Sequence, residues 1–96
     1  MPHDQFYASN QEGLLKEEQI IAMSGLDFMK GILLGNHPAP PICKTMNFAL
    51  HDVADGFVSF QGSPSFDHCN PLGTVHGGWY GTVLDSCMAC AVMTRV

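Results

Sequence analysis

The chain opens on a polar stretch, residues 1–12, and its apolar positions fall into helical spacing only from Leu14 onward. Leu14, Leu15, Ile20 and Ile21, with Glu17, Glu18 and Gln19 among them, suit a helix that Gly25 is expected to break. Ser24 then caps a second helix, with Asp27 as its acidic third residue and Leu26, Met29, Ile32 and Leu33 as its apolar face. Gly35-Asn36 stops it. Residues 36–42, NHPAPPI, form a Pro-rich connector expected to be neither regular helix nor central strand. Within residues 43–53, Met46, Phe48 and Leu50 alternate with Asn47, Ala49 and His51, which predicts a strand. Ala54-Asp55-Gly56 reads as a turn. Residues 57–63 read as a second strand, with Val58 and Phe60 on the face opposite Phe57, Ser59 and Gln61. So short a connection makes the pair an antiparallel hairpin. Residues 64–74 carry two prolines and are expected to form a loop.

Residues 75–93 are almost wholly apolar or small. Tyr80, Val83, Leu84, Cys87, Met88 and Ala91 recur at helical spacing, and Gly81, Thr82, Asp85, Ser86 and Ala89 take the other side. A helix that is apolar on one face and small on the other predicts a buried central helix. One hairpin does not wrap such a helix, because a stable sheet usually needs three or more strands. The sequence is therefore expected to stop partway through a domain.

Composition narrows the function classes. The chain has 96 residues, 46% of them hydrophobic and only 14% charged, so it folds as at most one domain with large apolar faces. The net charge is −5 with only four Lys and Arg, and no basic cluster occurs, which argues against nucleic-acid binding. No segment approaches the roughly 18 apolar residues of a membrane span, and the N-terminus lacks a signal-peptide core. The expectation is a soluble cytoplasmic protein whose cysteines, Cys43, Cys69, Cys87 and Cys90, are reduced thiols.

Candidate chemistry is concentrated in residues 68–90, HCNPLGTVHGGWYGTVLDSCMAC. The first N–H groups of a helix have no partner inside it and face outward from the positive end of its dipole. Gly77 and Gly78 stand at such a start, where a missing side chain either lets a substrate carbonyl approach the backbone or merely permits tight packing. Asp85 is the single charge between Asp67 and Arg95. It is either a general base or nucleophile buried for a purpose, or a polar position facing solvent. Asn70 could orient an attacking group or form an Asx turn before Pro71. His76 is either a base or a hydrogen-bonded structural residue, and His68 packs the loop with a possible substrate contact.

Gly77 and Asp85 lie eight residues apart in sequence, about 12 Å along one helix. If both act on one substrate carbon, they come from two antiparallel helices of a symmetric pair. The Cys87-x-x-Cys90 pair sits toward the helix C-terminus, not the N-terminus where a dipole lowers a thiol pKa. Cys87 is also about 16 Å along the helix from His76, too far to share a tetrahedral zinc with it. These cysteines read as small core residues, with no metal ligand set.

The ordered run Asn70-Pro71-x-Gly73, x-x-His76-Gly77-Gly78, then Asp85 and the small residues 86–92, closely resembles the PaaI-like acyl-CoA thioesterases of the hotdog superfamily. The helix, Pro-rich connector and hairpin of residues 24–60 are similar to that family as well. The resemblance implies an α+β hotdog fold, an antiparallel sheet wrapped around a long central helix, with the later strands missing from this chain. It implies residues 1–23 as a leader and residues 24–96 as the N-terminal part of the domain. It further implies hydrolysis of an acyl-CoA thioester without a cofactor, in a homodimer or tetramer with shared sites. In that picture Asp85 is the base or nucleophile, Gly77 N–H the oxyanion donor, and Asn70 and His76 the orienting groups, with His68, Gly73 and Gly78 next to the substrate. A non-catalytic module that binds an acyl group or a partner subunit is the alternative.

Overall fold

The computed structural model describes residues 5–96, so the first four positions of the expected leader lie outside the described residues. The architecture is α+β. Four helices, α1 (Glu17–Ile21), α2 (Gly25–Leu34), α3 (Pro41–Met46) and α4 (Gly77–Met93), surround one two-stranded antiparallel sheet of β1 (Phe48–Ala54) and β2 (Phe57–Gly62). None of the helices among the described residues is long and apolar enough to cross a membrane.

Local signals placed most of these elements. Ser24 caps α2 by accepting from the Asp27 N–H at 3.1 Å. Gly35 closes α2 in the left-handed conformation at φ 79°. The first helix is shorter than expected, because Leu14 and Leu15 lie outside it. The described part of the leader is tied to the rest of the chain. Gln5 donates to the Leu50 carbonyl at 2.8 Å, the Phe6 carbonyl accepts from the Ala39 N–H at 2.8 Å, and Tyr7 bridges Ala39. A 3-10 turn capped by Asn10 covers residues 11–13.

Two readings of the middle of the chain are corrected. Residues 43–46 are helical, not extended, and the helix begins inside the Pro-rich connector. Pro41 occupies its first turn, where proline's fixed φ suits a helix and its missing N–H costs nothing. Asn47, left-handed at φ 55°, then turns the chain into β1. The second correction concerns alternation. Phe48 and Leu50 face inward as expected, but strict alternation would also bury Asp52. A bulge between Leu50 and Asp52 leaves His51 unpaired and turns Val53 inward instead. Asp55 and Gly56, with Gly56 at φ 73°, make the hairpin turn.

The core has two parts. Met29, Ile32, Ala39, Leu50 and Val53 bury together, with Phe60, Cys90 and Met93 against them. Cys43, Phe48 and Trp79 form the second, flanked by Met46, Val75 and Val83.

Helix α4 is pinned near both ends. The Trp79 indole donates to the Met46 carbonyl at 2.7 Å and meets the Phe48 ring edge-on at 6.3 Å. The buried Thr94 hydroxyl donates to the Ala91 carbonyl at 2.7 Å and accepts from the Gly56 N–H at 2.8 Å, stapling the hairpin turn to the helix end. Between the pins the helix is far from the buried state its sequence predicts. Trp79 is its only buried residue, and Tyr80, Leu84, Met88 and Val92 are 51–67% exposed. The apolar pattern runs around the whole helix, and the sheet with α2 covers one side of it.

Candidate functional site

The loop before α4 is a closed hydrogen-bonded unit. Cys69 and Val75 bridge its ends. The Asn70 side-chain oxygen accepts from the Leu72 and Thr74 N–H groups at 2.9 and 3.3 Å, and its amide donates to the Thr74 hydroxyl at 2.9 Å. Both acceptor positions of the amide oxygen are thereby used, and one of its two N–H donors remains. Asn70 is thus the Asx-turn residue of this loop. Gly73 follows at φ 82°, a conformation that an L side chain rarely adopts, with its N–H donating to the Asn70 carbonyl at 2.9 Å.

His68 holds the loop against α3. Its Nδ1 accepts from the Ser65 N–H at 2.9 Å and its Nε2 lies 2.9 Å from the Thr45 carbonyl. A backbone N–H only donates and a carbonyl only accepts, so the ring is neutral with its proton on Nε2. Both nitrogens are occupied within the chain, so neither is free for the substrate contact expected of His68.

His76 is the N-cap of α4. Its Nδ1 accepts from the Gly78 N–H at 2.7 Å. That bond explains Gly78, since a Cβ there would meet the His76 ring at 2.9 Å. It also separates the two glycines. The Gly78 N–H is engaged, whereas the Gly77 N–H reaches no acceptor among the described residues. Nothing lies within 4 Å of where a Gly77 Cβ would stand, so helix–sheet packing does not require a glycine there.

Asp85 is exposed and makes no hydrogen bond or ion pair with any described residue. Within one chain it therefore occupies a solvent-facing position, not a buried one. The continuous helix from Gly77 to Met93 keeps Gly77 and Asp85 about 12 Å apart along its axis. At about 100° per residue the two share one exposed stripe with Gly81, Leu84, Met88 and Val92, opposite the stripe of Trp79, Val83, Cys90 and Met93 that faces the core.

A cavity of about 350 Å³ opens beside the helix start. Among the expected site residues it gathers His68, His76 and Gly78, and it adds Asp67, Cys69, Trp79 and Thr82, which sequence reasoning did not single out. Asn70, Gly73, Gly77 and Asp85 lie outside its walls. The lone Trp directly after the Gly pair was the available signal for Trp79, the residue that fixes where the helix begins.

The cysteines are all free; Cys43 and Cys90 pack among apolar side chains, whereas the Cys69 thiol lies on the polar cavity and donates to the Ser65 carbonyl at 3.7 Å. Burial pushes the Cys43 thiol up to about 11, with a smaller push from Cys90. Burial also raises Cys90, helped by Cys87 and Asp85. Both shifts run opposite to the lowered pKa of a reactive thiol. Among the described residues no group of three or more His, Cys, Asp or Glu converges to hold a metal.

No family model matches the chain, and no match to it is found among curated proteins or solved structures.

Proposed function

We propose that this chain is part of a PaaI-like acyl-CoA thioesterase of the hotdog superfamily, working as a homodimer or higher homo-oligomer in which each site takes Gly77 from one copy and Asp85 from the other. The observation that carries the reading is the exposed stripe of α4. It holds an unengaged N–H at Gly77, an unpaired carboxylate at Asp85, and apolar side chains with no partner among the described residues.

The position of Gly81 supports a symmetric pairing. A two-fold axis that sets Gly77 of one helix beside residue 85 of an antiparallel copy passes at their midpoint, residue 81, since (77 + 85)/2 = 81. That residue is glycine, exposed, with nothing within 4 Å of its Cβ position. Two backbones can approach closely there, and Leu84, beside the axis, then loses its water.

The chemistry follows from these groups. The partner's Asp85 takes a proton from water, and the water oxygen attacks the thioester carbon. The carbonyl electron pair moves onto oxygen, where the Gly77 N–H and the helix dipole hold the negative charge. Collapse breaks the C–S bond, and the thiolate leaves with the proton from the Asp85 carboxylic acid. The products are a free acid and a thiol. His76 contributes by holding the Gly78 N–H, which keeps the helix start ordered and leaves Gly77 as the donor that faces outward.

The test is hydrolysis of an acyl-CoA panel beside a measurement of oligomeric state. Turnover that Asp85→Asn reduces by roughly 10²–10⁴-fold, in an oligomer of unchanged size, is the expected result. Undiminished turnover in that variant refutes the reading.

A further inference from the structure

The described histidines divide by what faces their ring nitrogens. His37 directs Nε2 at the Phe28 carbonyl, 2.7 Å away, and His51 holds Nδ1 at 3.4 Å from the Ser59 hydroxyl. A carbonyl accepts from a neutral or a charged ring, and a hydroxyl can turn to suit either, so both contacts survive a change of charge. His76 differs. Its Nδ1 accepts from the Gly78 backbone N–H at 2.7 Å. A backbone N–H only donates, so this bond exists only while Nδ1 carries no proton. His68 also accepts at Nδ1, from the Ser65 N–H at 2.9 Å. Unlike His76, it has a fallback. The Ser65 hydroxyl lies 3.3 Å from the same nitrogen and can accept from it, and Nε2 donates to the Thr45 carbonyl whatever the charge of the ring.

A cap made by a neutral imidazole acceptor is unusual, because Ser, Thr, Asp and Asn do the same work without titrating near neutral pH. Imidazole is the side chain that takes up a proton between about pH 5 and 8. A proton on His76 Nδ1 would set two donors against each other and place a cation at the positive end of the α4 dipole. The ring is exposed, so once charged it can swing into water without leaving a core. The groups around it do not hold it back. Asp67, His68 and Cys69 share its cavity wall, and neither ring is ion-paired with a carboxylate among the described residues. Asp67 is the one carboxylate in that wall and attracts a charged ring away from the helix end. Cys43 and Lys44 of α3, and Tyr80, Asp85, Cys87 and Cys90 of α4, lie outside the wall.

We propose that His76 is a proton-operated cap: neutral, it closes the start of α4 over the Gly78 N–H, and charged, it lets that N–H go while the loop stays anchored at His68. The closed form binds one proton fewer than the open form, so it is favoured at high pH and yields as pH falls. Opening is confined to the first turn. The His76 N–H still donates to the His68 carbonyl at 2.8 Å, and the Trp79 indole still donates to the Met46 carbonyl at 2.7 Å. The proposal stands apart from the thioester reading, since no step of it involves a substrate, Gly77 or Asp85.

The test is an NMR titration of the whole chain from about pH 8 to about pH 5, read at the His76 ring nitrogens, the Gly78 amide and the Trp79 indole. At the upper end the His76 proton is expected on Nε2. As the ring takes up its second proton, protection of the Gly78 amide from exchange should fall about fivefold, the size of one lost cap, while the Trp79 indole keeps its protection. His76→Asn retains an acceptor for Gly78 that takes up no proton in this range, and its Gly78 protection is expected to stay level. His76→Ser serves the same purpose should the Asn variant not fold. The proposal is overturned by a proton on Nδ1 at about pH 8, by Gly78 protection that does not follow the charge of His76, or by an equal fall in the Asn or Ser variant. Loss of the Trp79 indole at the same midpoint overturns it as well, since the whole chain would then be opening.

Discussion

The two long stripes of α4 are built from similar residues and end in different states. Trp79, Val83, Cys90 and Met93 meet the hairpin, α2 and α3, and their one polar group, the indole N–H, has its carbonyl. Gly77, Gly81, Leu84, Asp85, Met88 and Val92, on the other side, meet nothing of comparable extent among the described residues. The first stripe is explained by the fold of one chain. The second combines an apolar surface, a free carboxylate and a free helix-terminal donor, a combination that stability of the single chain does not call for. The difference assigns the first side to folding; association and chemistry on the second are what we propose.

The sharpest way to break that comparison is to truncate one residue on each side. Trp79→Ala is expected to lower unfolding free energy by about 3–5 kcal/mol, since it removes a buried ring and leaves the Met46 carbonyl without its donor. Leu84→Ala, read in the same urea titrations on dilute, dissociated chain, is expected to stay within about 0.5 kcal/mol of the parent. Equal losses would show that the exposed stripe is packed after all.

Gly77→Pro separates folding from chemistry at one position. Proline suits the first residue of a helix, and His76 before it already has φ −64° and ψ 137°, the extended conformation that a following proline requires. The lost N–H had no acceptor, and the ring enters open space. The melting temperature is expected to hold or to rise by the equivalent of about 0.4–1 kcal/mol. Thioester turnover should fall by about 10²–10³-fold, the usual cost of one oxyanion donor. A large loss of stability, or unchanged turnover, would contradict the role given to this N–H.

The smallest effect belongs to the buried side. The Cys43 thiol is raised to about 11 when folded, above the usual thiol value near 8.5. The folded state therefore keeps its proton after the unfolded chain has lost it. That contribution is complete below about pH 8.5 and fades as pH rises toward 11. The urea midpoint should drop over this window, and drop less in Cys43→Ala.

How legible the molecule was in its sequence depends on how far each signal reaches. The Ser24 cap, the Gly35 stop and the hairpin around Asp55-Gly56 are set by neighbours in the chain, and the structure has them where they were expected. Helix α3 escaped because its prolines resemble breakers unless one sees that Pro41 sits in the first turn. The His51 bulge escaped because alternation alone carries no sign of an extra residue. The order of residues 68–90 was read correctly as loop then helix, but its wiring was not. That His68 reaches Thr45, Trp79 reaches Met46 and Thr94 reaches Gly56 are contacts across 23, 33 and 38 residues, which no local pattern encodes. The exposure of Asp85 was one of two open readings, because a charge inside an apolar helix suggests burial until the helix is seen to be covered on one side only.

The most direct test of a site shared between copies is complementation of two inactive chains. Asp85→Asn retains a sound Gly77, and Gly77→Pro retains a sound Asp85. After joint denaturation and refolding, about half of the dimers are mixed, and each mixed dimer has one intact site of its two. The account predicts that the mixture recovers about a quarter of parent turnover from two nearly inactive preparations. A mixture as inactive as its components, in which mixed dimers are shown to form, would contradict it.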